Sequence, residues 1–254
     1  MAKYSHSRLE SYEQCPLKFK FRYIDGLEEG EGIEGFLGQR VHETIHYLYT
    51  KAIEGQILTL KQVLVYYEEL WKKEYNKKIR IVKKHFSSEY YFNQGLEMIK
   101  NYYEKNYPFK ENILGMEQRV YVDLNRDGCY LLVGVIDKLL YNKEDEVYEV
   151  HDYKTSSWLP DQEELDNDRQ LALYSLAVKE LYPKSKKIVL KWHFLKHGKT
   201  MTSIRTDKQL EDLKEKIVAL IDKIKTEKQW PAKKSQLCGW CGFNEICPEY
   251  RRLL

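Results

Sequence analysis

Apolar residues recur at helical spacing through most of the first half of the chain. At the start, Ser5 or Ser7 is placed to cap a first helix that runs to about Phe19, and the glycine-rich residues 26–38 indicate a loop. The pattern therefore predicts an N-terminal helix, a loop and then a helical block over about 38–107.

The pattern changes near residue 116, where the period of the apolar positions falls to two. Alternating apolar and polar residues indicate five strands, over about 116–124, 130–141, 146–154, 188–195 and 200–205. Helical spacing returns over 162–181 and over 207–225. The order of these elements predicts an α/β fold, with a central mixed β-sheet flanked by helices and the helical block as an insertion.

Composition limits the class of protein that the chain can be. With 254 residues, 43% of them hydrophobic, the chain can bury one large core, so we expect residues 1–254 to form a single domain. A charged-then-apolar leader and an apolar run of about 18 residues are both missing, which predicts a cytoplasmic protein with no membrane partner. The net charge of +3, from 42 basic and 39 acidic residues, permits a polyanionic partner without requiring one.

Two acids and a lysine are predicted to lie at the ends of neighbouring strands. The period of two puts Asp152 and Lys154 on the same face of the third strand, and Asp137 lies near the end of the second strand. A hairpin between these strands would bring the two carboxylates close enough to share a cation. Phosphodiester cleavage uses such a cation on oxygen ligands to activate water, whereas the plainer alternative is a surface ion pair.

Four of the five cysteines are placed to bind one metal centre. Cys238, Cys241 and Cys247 lie within ten residues, and Cys15 can supply a fourth thiolate from the other end of the chain. An odd number of cysteines, mostly bunched, favours metal ligation over a disulfide framework. The spacing suits zinc as well as a [4Fe-4S] cluster, and either would join a C-terminal segment of about 207–254 to Cys15 in a structural role.

Several motifs occur together along nearly the whole chain. They are Ser7-Arg8-Leu9 through Cys15-Pro16, Gly38-x-x-x-His42, Gly134-Val135-Ile136-Asp137, Asp152-Tyr153-Lys154, Gln170-x-x-x-Tyr174 and the terminal cysteines. In this combination the sequence resembles the RecB-like branch of the PD-(D/E)XK nucleases, which includes the CRISPR-associated exonucleases and the nuclease domain of AddB. The resemblance implies a nuclease core at about 116–205, in which Ile136 replaces the proline that names the superfamily.

The resemblance also implies roles for individual residues. His42, Asp137, Asp152 and the backbone carbonyl of Tyr153 would bind Mg2+ or Mn2+, and Lys154 would be the catalytic lysine. Gln170 and Tyr174, four residues apart on one helix face, would touch the metal site or the DNA. In the resembling proteins one N-terminal and three C-terminal cysteines hold a [4Fe-4S] cluster. Glu117 is a possible further acid, to which we give less weight.

The activity implied by the resemblance is that of a metal-dependent deoxyribonuclease. We expect an exonuclease on single-stranded DNA ends, in CRISPR adaptation or in DNA repair and recombination, with protein partners in such a complex. A different class remains open, in which the chain is a DNA-end-binding or processing subunit. The intact acids and lysine favour the enzyme, since a protein that only binds DNA has no use for an acidic pocket that faces phosphate.

One motif points to another chemistry. His42-Glu43-Thr44-Ile45-His46 is a literal H-E-x-x-H, the zinc-binding motif of metalloproteases. Tyr49 stands where the extended protease motif has a glycine, and no downstream helix offers a clear third ligand. We therefore favour His42 as a nuclease ligand and expect His46 to be a core or surface histidine.

A basic segment in the helical block is a candidate for DNA contact. Its aromatic and basic residues could stack on bases and follow phosphates; they are Trp71, Lys72, Lys73, Lys77 and Lys78. A solvated helix face is the alternative interpretation of the same lysines.

Overall fold

The computed structural model describes residues 3–251. The outermost positions of the predicted domain, 1–2 and 252–254, lie outside the described residues. Within the described range the α-helices are α1 (His6–Gln14), α2 (Pro16–Phe19), α3 (Ile33–Ile53), α4 (Leu60–Glu74), α5 (Ser88–Asn106), α6 (Gln162–Asp166), α7 (Arg169–Leu181), α8 (Asp207–Thr226) and α9 (Pro248–Arg251). A π-helical turn covers Lys20–Ile24, and 3-10 turns cover Leu195–His197 and Gln236–Trp240.

Five strands form one mixed sheet. They are β1 (Ile113–Asp123), β2 (Leu131–Asn142), β3 (Val147–Lys154), β4 (Ile188–Phe194) and β5 (Lys199–Ser203). Their order across the sheet follows the chain. Neighbouring strands are antiparallel except for β3 and β4, which are parallel and joined through α6 and α7. The predicted α/β fold with a central mixed sheet flanked by helices is confirmed.

Three predicted boundaries are wrong, each for a local reason. The first helix stops at Gln14, because Cys15 precedes a proline and takes an extended backbone (φ −164°, ψ 109°) before α2 begins. The predicted loop over 26–38 ends early, since α3 begins at Ile33. The helix predicted over 162–181 is two helices, because the Asp168 side chain accepts a hydrogen bond from the Leu171 N–H and starts α7 afresh.

The two faces of the sheet pack against different helices. Because side chains alternate along β3, Val150 contributes to a core with α1, α7 and α8, while Tyr153 contributes to a core with the helical block α3–α5. Asp152 and Lys154 share the face of Val150, and the polar end of β3 therefore lies where α7 begins. None of the helices in the described range combines the length and the apolarity that crossing a membrane requires.

Candidate active site

The predicted acids of β2 and β3 lie side by side. Lys138 pairs with His151 across the two strands, so that Asp137 and Asp152 occupy the next facing positions. Both carboxylates are buried. The Lys154 ammonium, on the same face as Asp152, lies 2.7 Å from Asp152 Oδ2. The strand ends therefore bring two carboxylates and one ammonium together, as the period of two in the sequence predicts.

A third acid completes a row of carboxylates across the sheet. Asp123 pairs with Leu131, and the register between β1 and β2 continues without a shift for six residues, which puts Glu117 opposite Asp137. The ligand atoms of His42, Glu117 and Asp137 all lie within 4.8 Å of one another. Glu117 also has a left-handed backbone (φ 48°), an unusual conformation for a residue inside a strand. The structure therefore brings Glu117, to which we give less weight from the sequence, beside His42 and Asp137.

The backbone of Tyr153 links His42 to the acids. The Tyr153 N–H donates to Asp137 Oδ2 at 2.8 Å, and its carbonyl accepts a hydrogen bond from His42 Nε2 at 2.7 Å. His42 reaches this point from the third turn of α3, and its Nδ1 lies 3.5 Å from Asp137 Oδ2. The atoms that the resemblance names as ligands, including the carbonyl, are thus neighbours.

The electrostatics of the cluster fit a bound cation. Burial raises the pKa of Asp137 well above its usual value, and the neighbouring Asp152 carboxylate raises it further. Burial also raises the pKa of Glu117, while nearby His42 acts in the opposite direction. Carboxylates this close repel one another unless a proton or a cation lies between them. Carboxylate oxygens with one imidazole are ligands that Mg2+ and Mn2+ accept.

Lys154 is held by residues of α7. Its ammonium donates to Gln170 Oε1 at 2.7 Å, and Gln170 Nε2 donates to Tyr174 Oη at 3.4 Å. Burial alone would lower the pKa of Lys154, but the Asp152 carboxylate outweighs that effect and the pKa is raised. The Tyr174 ring lies directly over Gly134 of β2, where a Cβ atom would come within 2.4 Å of Tyr174 Cε1. Gly134 therefore provides the space for the residue that supports Gln170.

A cleft of about 440 Å3 opens onto His42 and Glu117. Its lining residues are Gly38, Gln39, His42, Glu43, His46 and Glu117. The cleft shares His42 and Glu117 with the ligand cluster, whereas His46 and Glu43 line the cleft outside that cluster. This side of the ligand cluster is thus accessible to a substrate, and His46 faces the cleft at partial exposure.

The four predicted cysteines line one cavity of about 400 Å3. Backbone N–H groups lie close to two of the sulfurs: that of Lys233 is 3.4 Å from Cys15 Sγ, and that of Ser235 is 3.3 Å from Cys238 Sγ. Donors of this kind stabilise negative charge on sulfur, as metal-bound thiolates require. Burial raises the pKa of Cys241, so that this thiol favours its neutral form until a cation compensates. The four thiols therefore share one cavity, which the predicted metal centre requires.

Arg80 attaches the cysteine-rich segment to the helical block. Its guanidinium donates to Asn244 Oδ1 and to the carbonyls of Trp240 and Cys241 at 2.5, 3.1 and 2.9 Å. On the other side, the carbonyl of Arg80 accepts from the N–H of Ile33, the first residue of α3. The helix that carries His42 therefore starts against the segment that carries the cysteines.

The predicted DNA-contact residues do not act as one group. Trp71 is only 6% exposed and packs against Phe36 in the core of the helical block, so its ring has no free face for a base, which corrects the prediction. The neighbouring Lys72 and Lys73 side chains are exposed. Lys77 and Lys78 are exposed as well.

Comparison with known proteins agrees with this geometry. The chain matches the model of the PD-(D/E)XK nuclease superfamily over residues 3–248, and it belongs to that superfamily. Nucleases of this superfamily use divalent metals, so the chain is a metal-dependent nuclease that acts on nucleic acid. The superfamily prediction is confirmed, and nothing in the comparisons supports the metalloprotease alternative.

Two solved structures are similar to this chain. A candidate exonuclease from Eubacterium rectale is similar with a TM-score of 0.54 and 13% identity, over 98% of this chain and 87% of that chain. The protein SSO0001 matches with a TM-score of 0.39 and 16% identity, over 85% of this chain and 96% of that chain. The first likeness supports the fold of the sheet and its helices. The chain has no significant match among curated protein sequences.

Proposed function

We propose that this nuclease is a cytoplasmic exonuclease of the RecB-like iron-sulfur branch, which hydrolyses phosphodiester bonds at single-stranded DNA ends. The observation that carries the proposal is the convergence of Asp137, Asp152 and Lys154 at neighbouring strand ends, with His42 beside them. The motifs shared with that branch favour DNA as the substrate. They also favour a role in CRISPR adaptation or in DNA repair and recombination, beside protein partners.

In this proposal a divalent cation, Mg2+ or Mn2+, is bound by His42, Asp137, Asp152 and the Tyr153 carbonyl. The cation would supply a site for activating water and for neutralising charge on the scissile phosphate. We add Glu117 to the set, because its carboxylate lies within 4.8 Å of the ligand atoms of His42 and Asp137. The contacts that Tyr153 makes with Asp137 and His42 support a single binding point for all of them.

Lys154 acts on the phosphate directly. Its raised pKa keeps the proton on Nζ near neutral pH, so it presents a positive charge to the non-bridging oxygens as negative charge develops there. Gln170 and Asp152 each accept one hydrogen bond from the Lys154 ammonium, which leaves its third N–H for the phosphate. Tyr174 supports Gln170 in turn. In-line attack on the phosphorus then releases a 3′ oxygen.

The cysteine site is proposed to hold a [4Fe-4S] cluster with a structural role. Its support is the shared cavity of Cys15, Cys238, Cys241 and Cys247 together with the RecB-like motifs. Zinc remains the competing metal for the same thiols. The exposed lysines of the helical block are proposed as further contacts for the DNA backbone; they are Lys72, Lys73, Lys77 and Lys78.

A nuclease assay tests the catalytic proposal. The substrates are end-labelled single-stranded and double-stranded DNA, each with Mg2+, with Mn2+ and with a chelator. We expect metal-dependent shortening of the single strand from an end, and its loss in Lys154→Ala with an unchanged circular dichroism spectrum. Lys216→Ala, which removes an exposed lysine of α8, is the matched control and should retain activity. Cleavage retained by purified Lys154→Ala would contradict the assignment.

The cluster proposal has its own measurement. Protein purified without oxygen is analysed for iron, acid-labile sulfide and zinc, and its visible absorption is recorded. We expect about four irons per chain and a brown colour, both lost in Cys241→Ser. Stoichiometric zinc without iron would replace the cluster by a zinc site.

A further inference from the structure

A cavity of about 310 Å3 lies beside the catalytic end of β3. Its walls come from the start of α3, from the segment that leads into α5, from α5 itself and from the loop that follows Lys154. Ser156, in this loop, lies two residues beyond Lys154, at most about 7 Å along the chain. The cavity is therefore within a nucleotide or two of the phosphate at the proposed site, and its volume lies near the lower end of the range of about 300–1,000 Å3 typical of ligand pockets.

Two stacked aromatic rings line this cavity. The rings of Phe86 and Tyr90 have centroids 3.9 Å apart and an interplanar angle of 3°, and both residues are half-buried. Their geometry is set locally, since the Ser87 side chain caps α5 and accepts a hydrogen bond from the Tyr90 N–H at 3.2 Å. Flat, partly exposed rings beside a phosphate-cleaving site are a platform on which any nucleobase can stack.

The charged residues of the cavity suit two different parts of a nucleotide, its phosphates and its base. Lys83 and Lys196 lie in the wall and suit phosphate oxygens. Glu34 also lies in the wall, where its Oε1 accepts hydrogen bonds from the Tyr91 hydroxyl at 3.0 Å and from Trp240 Nε1 at 3.4 Å. Its Oε2 has no hydrogen-bond partner among the residues that the structure describes. A carboxylate oxygen repels a phosphate but accepts an N–H from the edge of a base.

We propose that this cavity binds one unpaired nucleobase of the DNA strand, stacked on the Phe86–Tyr90 pair, while Lys83 and Lys196 contact the adjoining phosphates. The inference rests on the proposed function and adds a substrate-binding site to it. A base inside a duplex is paired and stacked, so it enters such a cavity only after unpairing. The cavity thereby favours a single strand over a duplex at the catalytic end of the sheet.

The test uses Tyr90→Ala and a matched control at the other end of β3. Tyr148 and Tyr182 also stack, with centroids 4.5 Å apart, but Tyr148 lies six residues before Lys154, about 20 Å away along the strand. Tyr182→Ala therefore removes a comparable ring far from the site. Both substitutions are made in an inactive Lys154→Ala background, and the Kd for a fluorescent single-stranded DNA is measured together with the Kd for the same backbone with abasic sites.

We expect Tyr90→Ala to weaken binding of the normal strand by about tenfold and to leave abasic binding unchanged. Tyr90→Phe, which keeps the ring, should restore the Kd, and Tyr182→Ala should match the parent. With Lys154 present, Tyr90→Ala should raise the KM for normal single-stranded DNA more than the KM for the strand with abasic sites.

The outcomes separate the two proposals. Equal binding of normal and abasic strands by the parent, or equal Kd values for Tyr90→Ala and Tyr182→Ala, would overturn the base cavity while cleavage by the wild type stands. No metal-dependent cleavage of any DNA by the wild type would instead overturn the proposed function. A base-dependent loss of binding in Tyr90→Ala would still support the cavity in that case.

Discussion

Gly134→Ala should disturb Lys154, the proposed catalytic lysine, through the side chains of Tyr174 and Gln170. A Cβ at this position would lie 2.4 Å from Tyr174 Cε1, whereas carbon atoms in contact are separated by about 3.5–4.0 Å. The ring must therefore shift by about 1 Å, but Tyr174 is buried in the core beside α7 and has little room. We expect a loss of about 1–3 kcal/mol in the free energy of unfolding.

The displaced Tyr174 ring should affect the reaction through the hydrogen bonds that join Tyr174 to Gln170 and Gln170 to Lys154. The Gln170–Tyr174 contact is already 3.4 Å long, so a 1 Å displacement of the ring breaks it and frees Gln170 to release Lys154. Misplacement on this scale can cost about 100-fold in rate. We expect kcat for single-stranded DNA to fall by about 10-fold to 100-fold, with a smaller change in KM, in a steady-state assay at saturating Mn2+.

A double-mutant cycle isolates the ring contact. In a Tyr174→Ala background the clash is absent, so adding Gly134→Ala should cost almost nothing further in urea unfolding or in kcat. Gly35→Ala is the stability control, because a Cβ there meets no atom within 4 Å. If Gly134→Ala lowers stability and rate equally in both backgrounds, then steric pressure on Tyr174 is not the cause and the reasoning fails.

Three further predictions concern charged side chains in the core, in the candidate metal site and next to the cysteines. Lys138 is fully buried and pairs with Glu111 at 3.1 Å, so Glu111→Gln should lower the free energy of unfolding by about 3–5 kcal/mol in urea denaturation. A change below about 1 kcal/mol would contradict that pairing. Glu117→Gln should weaken Mn2+ binding by at least tenfold in calorimetry while the fold is retained; unchanged affinity would remove Glu117 from the ligand set. Arg80→Ala should speed metal loss from the cysteine site to a chelator, because the Cys241 carbonyl loses its donor, and an unaltered release rate would argue against this attachment.

The candidate site residues could be predicted best from the sequence where their positions depend only on the alternation of side chains along a strand. Asp152 and Lys154 share a face because side chains alternate, and that rule needs no tertiary information. Predicting the position of Glu117 required the register of the β1–β2 hairpin. This register can be counted from the turn after Asp123, but only if the two strands pair without a bulge. Trp71 failed for another reason: an amphipathic helix has a buried and an exposed side, and local spacing does not say which side a large aromatic residue takes.

Some helix boundaries could likewise be predicted from the sequence, whereas others depend on contacts between distant residues. The break at Cys15 follows from Pro16, since a residue before proline avoids the helical region, and this signal was available in the sequence. The early start of α3 was not, because its first turn is held by the backbone of Arg80, about 47 residues away. Contacts of that kind arise only when distant parts of the chain pack together.

The shared cavity of the cysteines has a consequence for the order of events during synthesis. Cys247 leaves the ribosome 232 positions after Cys15, with which it shares the cavity. At about 5–20 residues per second, roughly 12 to 46 seconds pass between the synthesis of Cys15 and that of Cys247, the last cysteine of the cavity. During that interval the helical block and then the sheet are synthesised and can fold, whereas the cysteine site is incomplete. Under the proposed cluster, metal insertion is thus the closing step of maturation, and Cys15 of the nascent chain is unligated and oxidisable until then.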